Sequence, residues 1–374
     1  MRVEYRFASE GGDLQADLRT LDRPFLLSPG EVHPTLTVRG YFDAVREFFL
    51  HSLAAASTKE QSAPNTLIIR SEKHGALYHV ASVEVICREE SRKFAVSTAL
   101  SDRARACLTQ EEMLLRQLEK SFHLPYLPRP FLKSEVLAEG KVPLTMLMTK
   151  WFEAFHEWHL TTDQPHKIRI WDPKRGNRFA SEKEAAGLYR EASKILTLYY
   201  DTETFRQIRP WHHAAGDFVL NSEGEKIRVR LTTVRGYEPL EFLTRAEPLD
   251  PNIALIYFFL NLSTKMRLDR ADGTGEVIWA DDFCLGPVVE GFFDALRIMT
   301  GQGRYPLGDP EGFMRLLKVF TEEELKSLLP PLQELYEQEN TGDFSVIRAN
   351  LEKHAVSLRE IIRKFPGSSH RRWR

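Results

Sequence analysis

PWHHAAGDFVLNSEGEKIRVRLTTVRGY, residues 210–237, sets a polar loop directly ahead of two short apolar runs. It opens as a tight polar loop ending at Gly216-Asp217 and continues as a short strand, Phe218-Val219-Leu220. It turns at Asn221-Ser222-Glu223-Gly224 and returns as a second strand from Ile227 to Val234. Asn, Ser and Gly between two apolar, β-branched runs are the composition of a hairpin turn. Two histidines and an aspartate packed into the loop ahead of a buried strand mark a candidate site, because such loops carry chemistry on a rigid support.

Outside this stretch, composition sets the bounds. A chain of 374 residues, 42% hydrophobic and 28% charged, makes a globular protein of about two to three domains. Its net charge of -2 gives no reason to expect a polyanion, and the basic end, His370-Arg371-Arg372-Trp373-Arg374, reads as a solvated tail. The start, MRVEYRFASEGGDL, has charges at Arg2, Glu4 and Arg6 and no apolar core of signal-peptide length. The longest apolar run, Ile253 to Leu262, is interrupted by Asn261 and too short to span a bilayer, so no membrane partner is expected. Cys87, Cys107 and Cys284 are odd in number and far apart, without a CxxC pair, which suits a reducing, cytoplasmic location.

The pattern along the chain predicts four regions: an extension over 1–64, a β-rich small lobe over 65–150, a helical lobe with the hairpin over 151–300, and a helical C-terminal extension with a basic tail over 301–374. The first holds a strand-like start, a loop punctuated by Pro24, Pro29 and Pro34, and an amphipathic helix around Tyr41 to Leu53. From Leu67 three strands follow in a meander, LIIRSEKHG, ALYHVASVEVI and RKFAVSTAL. Thr109-x-x-Glu112 is then a capping box that opens a helix ending before Pro125. Two more strand-like segments, FLKSEVL and PLTMLMTKWF, flank a turn at Glu139-Gly140-Lys141. The second half turns helical, with Ser181-x-x-Glu184 capping a helix that runs into residues 204–208, and further helices at 252–266, 286–299, 310–336 and 345–364.

Strand-strand-strand-helix-strand-strand, linker, helix, loop-hairpin, helices resembles the protein-kinase-like fold, nearest to the aminoglycoside phosphotransferase branch. The resemblance covers about residues 65 to 300 and implies an α+β protein of two lobes, an antiparallel five-stranded small lobe and a mainly helical large one. It also implies ATP and Mg²⁺ as cofactors, and catalytic residues in the quoted hairpin. In the family pattern HxDxxxxN the base and a metal ligand lie five residues apart, so that one loop points both at the phosphoryl group. If Asp217 takes the Asn position as metal ligand, the base position falls on His212, with His213 beside it; imidazole accepts protons near neutral pH. A second register makes Asp217 the base and puts Asn221 one residue short of the metal position. Either way Thr232-Thr233 stand where the family has its Mg²⁺-binding Asp, and a neutral hydroxyl is a poor substitute for a carboxylate.

The same resemblance assigns the nucleotide's other contacts. The third strand should carry a phosphate-pairing lysine, but FAVSTAL has Ser97 there, leaving Lys73 or Lys93 to reach in from elsewhere. Glu111 or Glu112 occupies the place of the lysine's helix partner. The turn around Gly75 has one glycine instead of GxGxxG, and Trp151 falls where an aromatic wall would face adenine. The resemblance, with these losses, implies a degenerate kinase-like protein, a pseudokinase with a regulatory or interaction role toward a protein partner. A divergent ATP-dependent small-molecule phosphotransferase is the alternative.

A third class comes from WFEAFHEWHL, in which Glu153, His156 and His159 share a face if the segment is helical, as in a helix-borne metal enzyme. Trp151, Phe152, Phe155 and Trp158 around them favour histidines satisfied within a core. Asp269, Asp272, Asp281 and Asp282 read as an acidic surface turn between helices, since DRADGTGE lacks the terminal glutamate of a calcium loop.

Overall fold

The computed structural model describes residues 1–9, 12–28, 30–56, 65–75, 77–88, 90–163, 167–172, 175–211, 214–223, 226–245, 250–339 and 341–366. It divides into two compact units, Met1–Ala154 with Pro173–Gly176, and Phe155–Asp172 with Asn177–Arg374. Both mix helix and strand, so the α+β class expected from sequence holds. None of the described helices is long and apolar enough to cross a membrane.

The first unit is a sheet with a helix on each face. Its strands are β1 (Arg2–Phe7), β2 (Leu14–Gln15), β5 (Thr66–His74), β6 (His79–Cys87), β7 (Glu90–Ala99), β8 (Pro130–Ala138) and β9 (Val142–Lys150), in the order β2-β1-β5-β6-β7-β9-β8. From β5 to β9 every pairing is antiparallel, and β1 adds in parallel to β5, widening the expected five strands to seven. Alternation decides the faces: Leu67, Ile69, Ala81, Val83, Val96, Met146 and Met148 point one way. Helix α2 (Val38–Ala56) covers them because Tyr41, Phe42, Val45, Phe48 and Phe49 recur at helical spacing. Each such side chain contributes about 1.5–3 kcal/mol when fully buried. On the opposite face Leu108 and Ala104 of α3 (Asp102–Phe122) pack on Ala99 and Leu147.

Two local expectations fail here. Helix α3 begins two turns before Thr109, capped by Ser101, whose hydroxyl accepts from the Ala104 N–H; Arg103 and Arg105 in those turns mask the apolar period. Glu112 is therefore no capping residue, and it pairs instead with Arg116 at 2.6 Å and Lys133 at 3.5 Å. The expected proline loop is a hairpin, β3 (Pro24–Ser28) with β4 (Glu31–Thr37), which follows the short helix α1 (Leu18–Leu21). A two-stranded ribbon is all edge, so it tolerates residues without an N–H.

The second unit starts with β10 (Glu157–Thr161), β11 (Lys167–Trp171) and β12 (Arg178–Phe179), one antiparallel sheet. This overturns the helical reading of WFEAFHEWHL, and with it the helix-borne metal enzyme. Ala154 has φ 58°, His156 pairs with Leu220, and from Trp158 to Thr161 the strand is buried on both faces. A short apolar run of that kind fits helix and strand alike. Helix α4 (Glu182–Leu198) has the expected capping box at Ser181 and Glu184 but stops short of residues 204–208. The chain turns there because the Asp201 carboxylate accepts from the Glu203 and Thr204 N–H groups.

Then come β13 (Gln207–Ile208), a single turn α5 (Ala214–Asp217), β14 (Phe218–Glu223), β15 (Lys226–Leu231) and β16 (Tyr237–Glu238). Helix α6 (Pro251–Lys265), the pair β17 (Leu268–Arg270) and β18 (Val277–Trp279), and α7 (Leu285–Gly301) follow. The remainder is α8 (Pro310–Val319), α9 (Glu322–Ser327), α10 (Leu329–Glu339) and α11 (Thr341–Lys364); the expected helix over 310–336 is broken into three. Helices α4 and α7 meet closely at Gly291, where a Cβ would overlap the Arg190 carbonyl oxygen and lie 3.0 Å from the Lys194 nitrogen. The Ser193 hydroxyl donates to the Val288 carbonyl across the same contact.

Two predictions follow from this packing. Because both atoms facing Gly291 are backbone and cannot move aside, Gly291→Ala should cost about 3 kcal/mol or more, seen as a fall in the urea midpoint. His354 is fully buried, with Nε2 3.1 Å from the Ser263 hydroxyl and Nδ1 3.4 Å from Arg267, and burial, aided by the Arg267 charge, pushes it down to about 3. The unfolded chain takes up that proton once pH drops below about 6.5. Stability that is whole above this pH is thus lost on acidification, by about 1.4 kcal/mol per pH unit, until folded His354 itself protonates. His354→Gln should remove most of that slope between pH 6 and pH 4 when melting curves are compared with wild type.

Candidate functional site

The hairpin of residues 210–237 forms, with its limits shifted. Strand β14 runs on through Asn221 to Glu223 and pairs with β15 in register, Phe218 opposite Leu231 and Glu223 opposite Lys226. Asn221 is thus no turn residue: it is buried, and its side-chain oxygen accepts from Arg228 at 2.8 and 3.1 Å. That engagement removes the register in which Asn221 would approach a metal. Below the hairpin β13 pairs with β16, Gln207 opposite Glu238 and Ile208 opposite Tyr237, so the loop and the segment after β15 leave from adjacent strands. Gly236 allows this approach, because a Cβ there would overlap the Arg209 carbonyl oxygen.

Asp217 ends α5 and is buried. Its carboxylate is forked by the Arg235 guanidinium, Nη2 to Oδ1 at 2.7 Å and Nη1 to Oδ2 at 2.8 Å. Its carbonyl oxygen accepts from both the N–H and the hydroxyl of Thr232, at 2.8 and 2.9 Å. Side chain and main chain are therefore both held by the segment leaving β15. Removing one member of a buried charge pair costs about 3–5 kcal/mol.

A second ionisable pair lies against the same turn, since α5 packs on β10 and β17. His159 on β10 turns Nδ1 to Asp269 Oδ1 at 3.3 Å, and both side chains are almost fully buried. Asp269 also accepts from the Leu160 N–H at 2.6 Å and from the Arg270 N–H at 2.7 Å. Trp171 lies 4.9 Å from the imidazole, and Gly273, with φ 81°, makes room for it. A Cβ on Gly273 would stand 2.9 Å from Nε2, and one on Gly216 would stand 3.7 Å from Cε1. Asp269 is thus a buried partner of His159 and no surface-turn residue, which corrects the reading of the acidic cluster. Asp282 does sit at the surface end, bonded to Arg267 and Ser357.

The remaining expected residues fall as follows. His212 and His213 lie outside the described residues. Thr233 is half-buried just after β15. In the first unit Ser97 stands near the C-terminal end of β7, in one cross-strand row with Val80 and Leu147. Lys73 pairs with Val80, so it shares that row two strands away from Ser97, about 10 Å. The Gly75 N–H is bonded to the Tyr78 carbonyl at 2.8 Å within its own turn. Glu111 is buried on α3. Trp151 has the Lys93 ammonium 4.2 Å above its ring, and Lys93 is also 3.5 Å from Glu72.

Mg²⁺ does not fit the donors present. It requires near-octahedral oxygen ligands at about 2.1 Å and strong negative charge. Asp217 already faces a cation through both oxygens, and Thr233 brings no charge. Among the described residues no group of three His, Cys, Asp or Glu side chains could hold a metal ion. Arg235 and the His159–Asp269 pair were not anticipated from sequence. A lone arginine in VRGY carries no motif, and the pair is separated by 110 residues.

The sequence matches no family model and no curated protein. Among solved structures the chain is similar to one described as WaaP in complex with acyl carrier protein, at 10% identity, covering 63% of this chain and 85% of that one. The TM-score is 0.27.

The imidazole seat makes the prediction here. Gly273→Ala should destabilise by about 2–3 kcal/mol, since it adds a clash with His159 to a left-handed backbone. Gly303→Ala, at φ 69° with nothing within 4 Å, carries only the backbone penalty of about 1–2 kcal/mol. Denaturant midpoints of the two variants should therefore differ, and equal losses would show that the His159 contact yields.

Proposed function

We propose that this chain is a protein-kinase-like protein with degraded catalytic motifs, a pseudokinase that works in the cytoplasm by binding a protein partner. In this reading the first unit is the small lobe, elaborated by residues 1–56, and the second is the large lobe, extended by the helices after residue 301. The strand order β5-β6-β7-β9-β8, with α3 between β7 and β8, and the β14–β15 hairpin set on β13 and β16 support it.

The observation that carries the loss of catalysis is Ser97. It lies near the C-terminal end of the third strand of the meander, paired with Val80 and Leu147, where the kinase-like reading puts the phosphate-pairing lysine. Phosphoryl transfer depends on positioning and on cationic stabilisation of the transferred group, so a serine there removes a charge the reaction uses. Lys73, in the same row but exposed at the strand's end, is the residue from which an active enzyme would have to replace it.

Melting curves with millimolar ATP, with and without Mg²⁺, test the proposal. A ligand present at about 100 times its Kd stabilises by about 2.7 kcal/mol, which would move the midpoint by several degrees. The expected shift is under about 1 °C in both conditions. A Mg²⁺-dependent shift of several degrees together with ATP turnover would overturn the pseudokinase reading and install the small-molecule phosphotransferase instead, and Lys73→Ala should then abolish the turnover.

A further inference from the structure

We infer that the Arg235 guanidinium stands where a kinase-like fold holds its divalent cation, and that it is what keeps Asp217 from taking a metal. The inference rests on the kinase-like reading of the β14–β15 hairpin and goes beyond it, since it makes one arginine the cause of metal exclusion. Both carboxylate oxygens of Asp217 receive N–H groups of one planar cation at 2.7 and 2.8 Å, the fork geometry that a guanidinium makes with a carboxylate. Thr232 fixes the main chain at Asp217 by two further bonds, so the carboxylate is held where it is.

Charge decides the outcome. A divalent ion approaching Asp217 would meet a neutral pair, and it would have to displace a cation from an almost fully buried group, exposed by only 8%, while shedding its own water. The second ligand position offers no help, because Thr233 is uncharged. On the kinase-like reading, the neutral hydroxyl at 233 and the cation at 235 thus act in the same direction. Arg235 follows Thr232 by three residues, so the strap that holds the Asp217 backbone also delivers the cation. Its side chain is 27% exposed, which leaves the pair within reach of solvent ions.

Direct Mn²⁺ titration, followed by electron paramagnetic resonance without nucleotide, separates cause from coincidence in four proteins: wild type, Thr233→Asp, Arg235→Gln and the double variant. Wild type and Thr233→Asp should take up no Mn²⁺ at submillimolar concentration. The double variant should bind at least roughly tenfold more tightly than either single variant, because only it presents two carboxylates without a resident cation. Adding Asp217→Asn to the double variant should abolish that binding. Arg235→Lys keeps the charge if Arg235→Gln fails to fold, and combined with Thr233→Asp it should stay blind to Mn²⁺. The inference is overturned if wild type binds Mn²⁺ through Asp217, if Thr233→Asp alone binds as well as the double variant, or if the lysine form binds. Metal-independent ATP turnover by wild type would defeat the pseudokinase reading and leave this inference standing. A folded double variant that ignores Mn²⁺ would do the reverse.

Discussion

A carboxylate buried at the head of a strand must be neutralised, and in this chain the neutralising partner is delivered by the strand that returns beside it. Asp217 and Arg235 lie at the two ends of one hairpin, and their fork closes the loop that the hairpin carries. Everything proposed for the site depends on that closure. It couples the β13–β16 base, the Thr232 bonds and the α5 turn into one unit, so a change at Arg235 is felt as an uncompensated charge and not as a lost surface contact. Pairs of this kind give little net stability but fix one arrangement over others.

Parts of this were legible in the sequence because their causes are local. The Ser181 capping box, the meander over 66–99 and the 210–237 hairpin are each set by residues within a few positions of one another, and each appears in the structure. Where local signals were shared between two structures, reading went astray. The run from Trp158 to Thr161 is buried on both faces, so it lacks the alternation that marks a strand, and its His159, with Glu153 and His156 before it, suggested a helical metal face. Thr109 and Glu112 have the spacing of a cap but sit inside α3, since Ser101 provides an equally good start earlier. Capping residues are common enough that spacing alone does not choose between them.

The partners in the site were illegible for a different reason. His159 and Asp269 meet across 110 positions, and what leaves room for the imidazole is the absence of a side chain at Gly273, which has no local signature. The same holds for Gly291 between α4 and α7. A glycine whose role is to be approached by a distant element reads in sequence as a weak spot in a helix or a turn, and only the approach itself reveals its function.

These two kinds of evidence bear unequally on catalysis. On the kinase-like reading, a serine at 97 in place of the lysine can be offset by a group arriving from elsewhere, and Lys73 lies in the same cross-strand row. Gain of an opposing residue is harder to offset. Arg235 does not merely fail to assist a metal; it puts a positive charge on the very carboxylate a metal would need, and any replacement ligand must first overcome it. Absence leaves a function open to rescue, whereas occupation closes it. On the kinase-like reading, the buried Asp217–Arg235 pair therefore opposes metal-dependent phosphoryl transfer more strongly than the serine at 97 does.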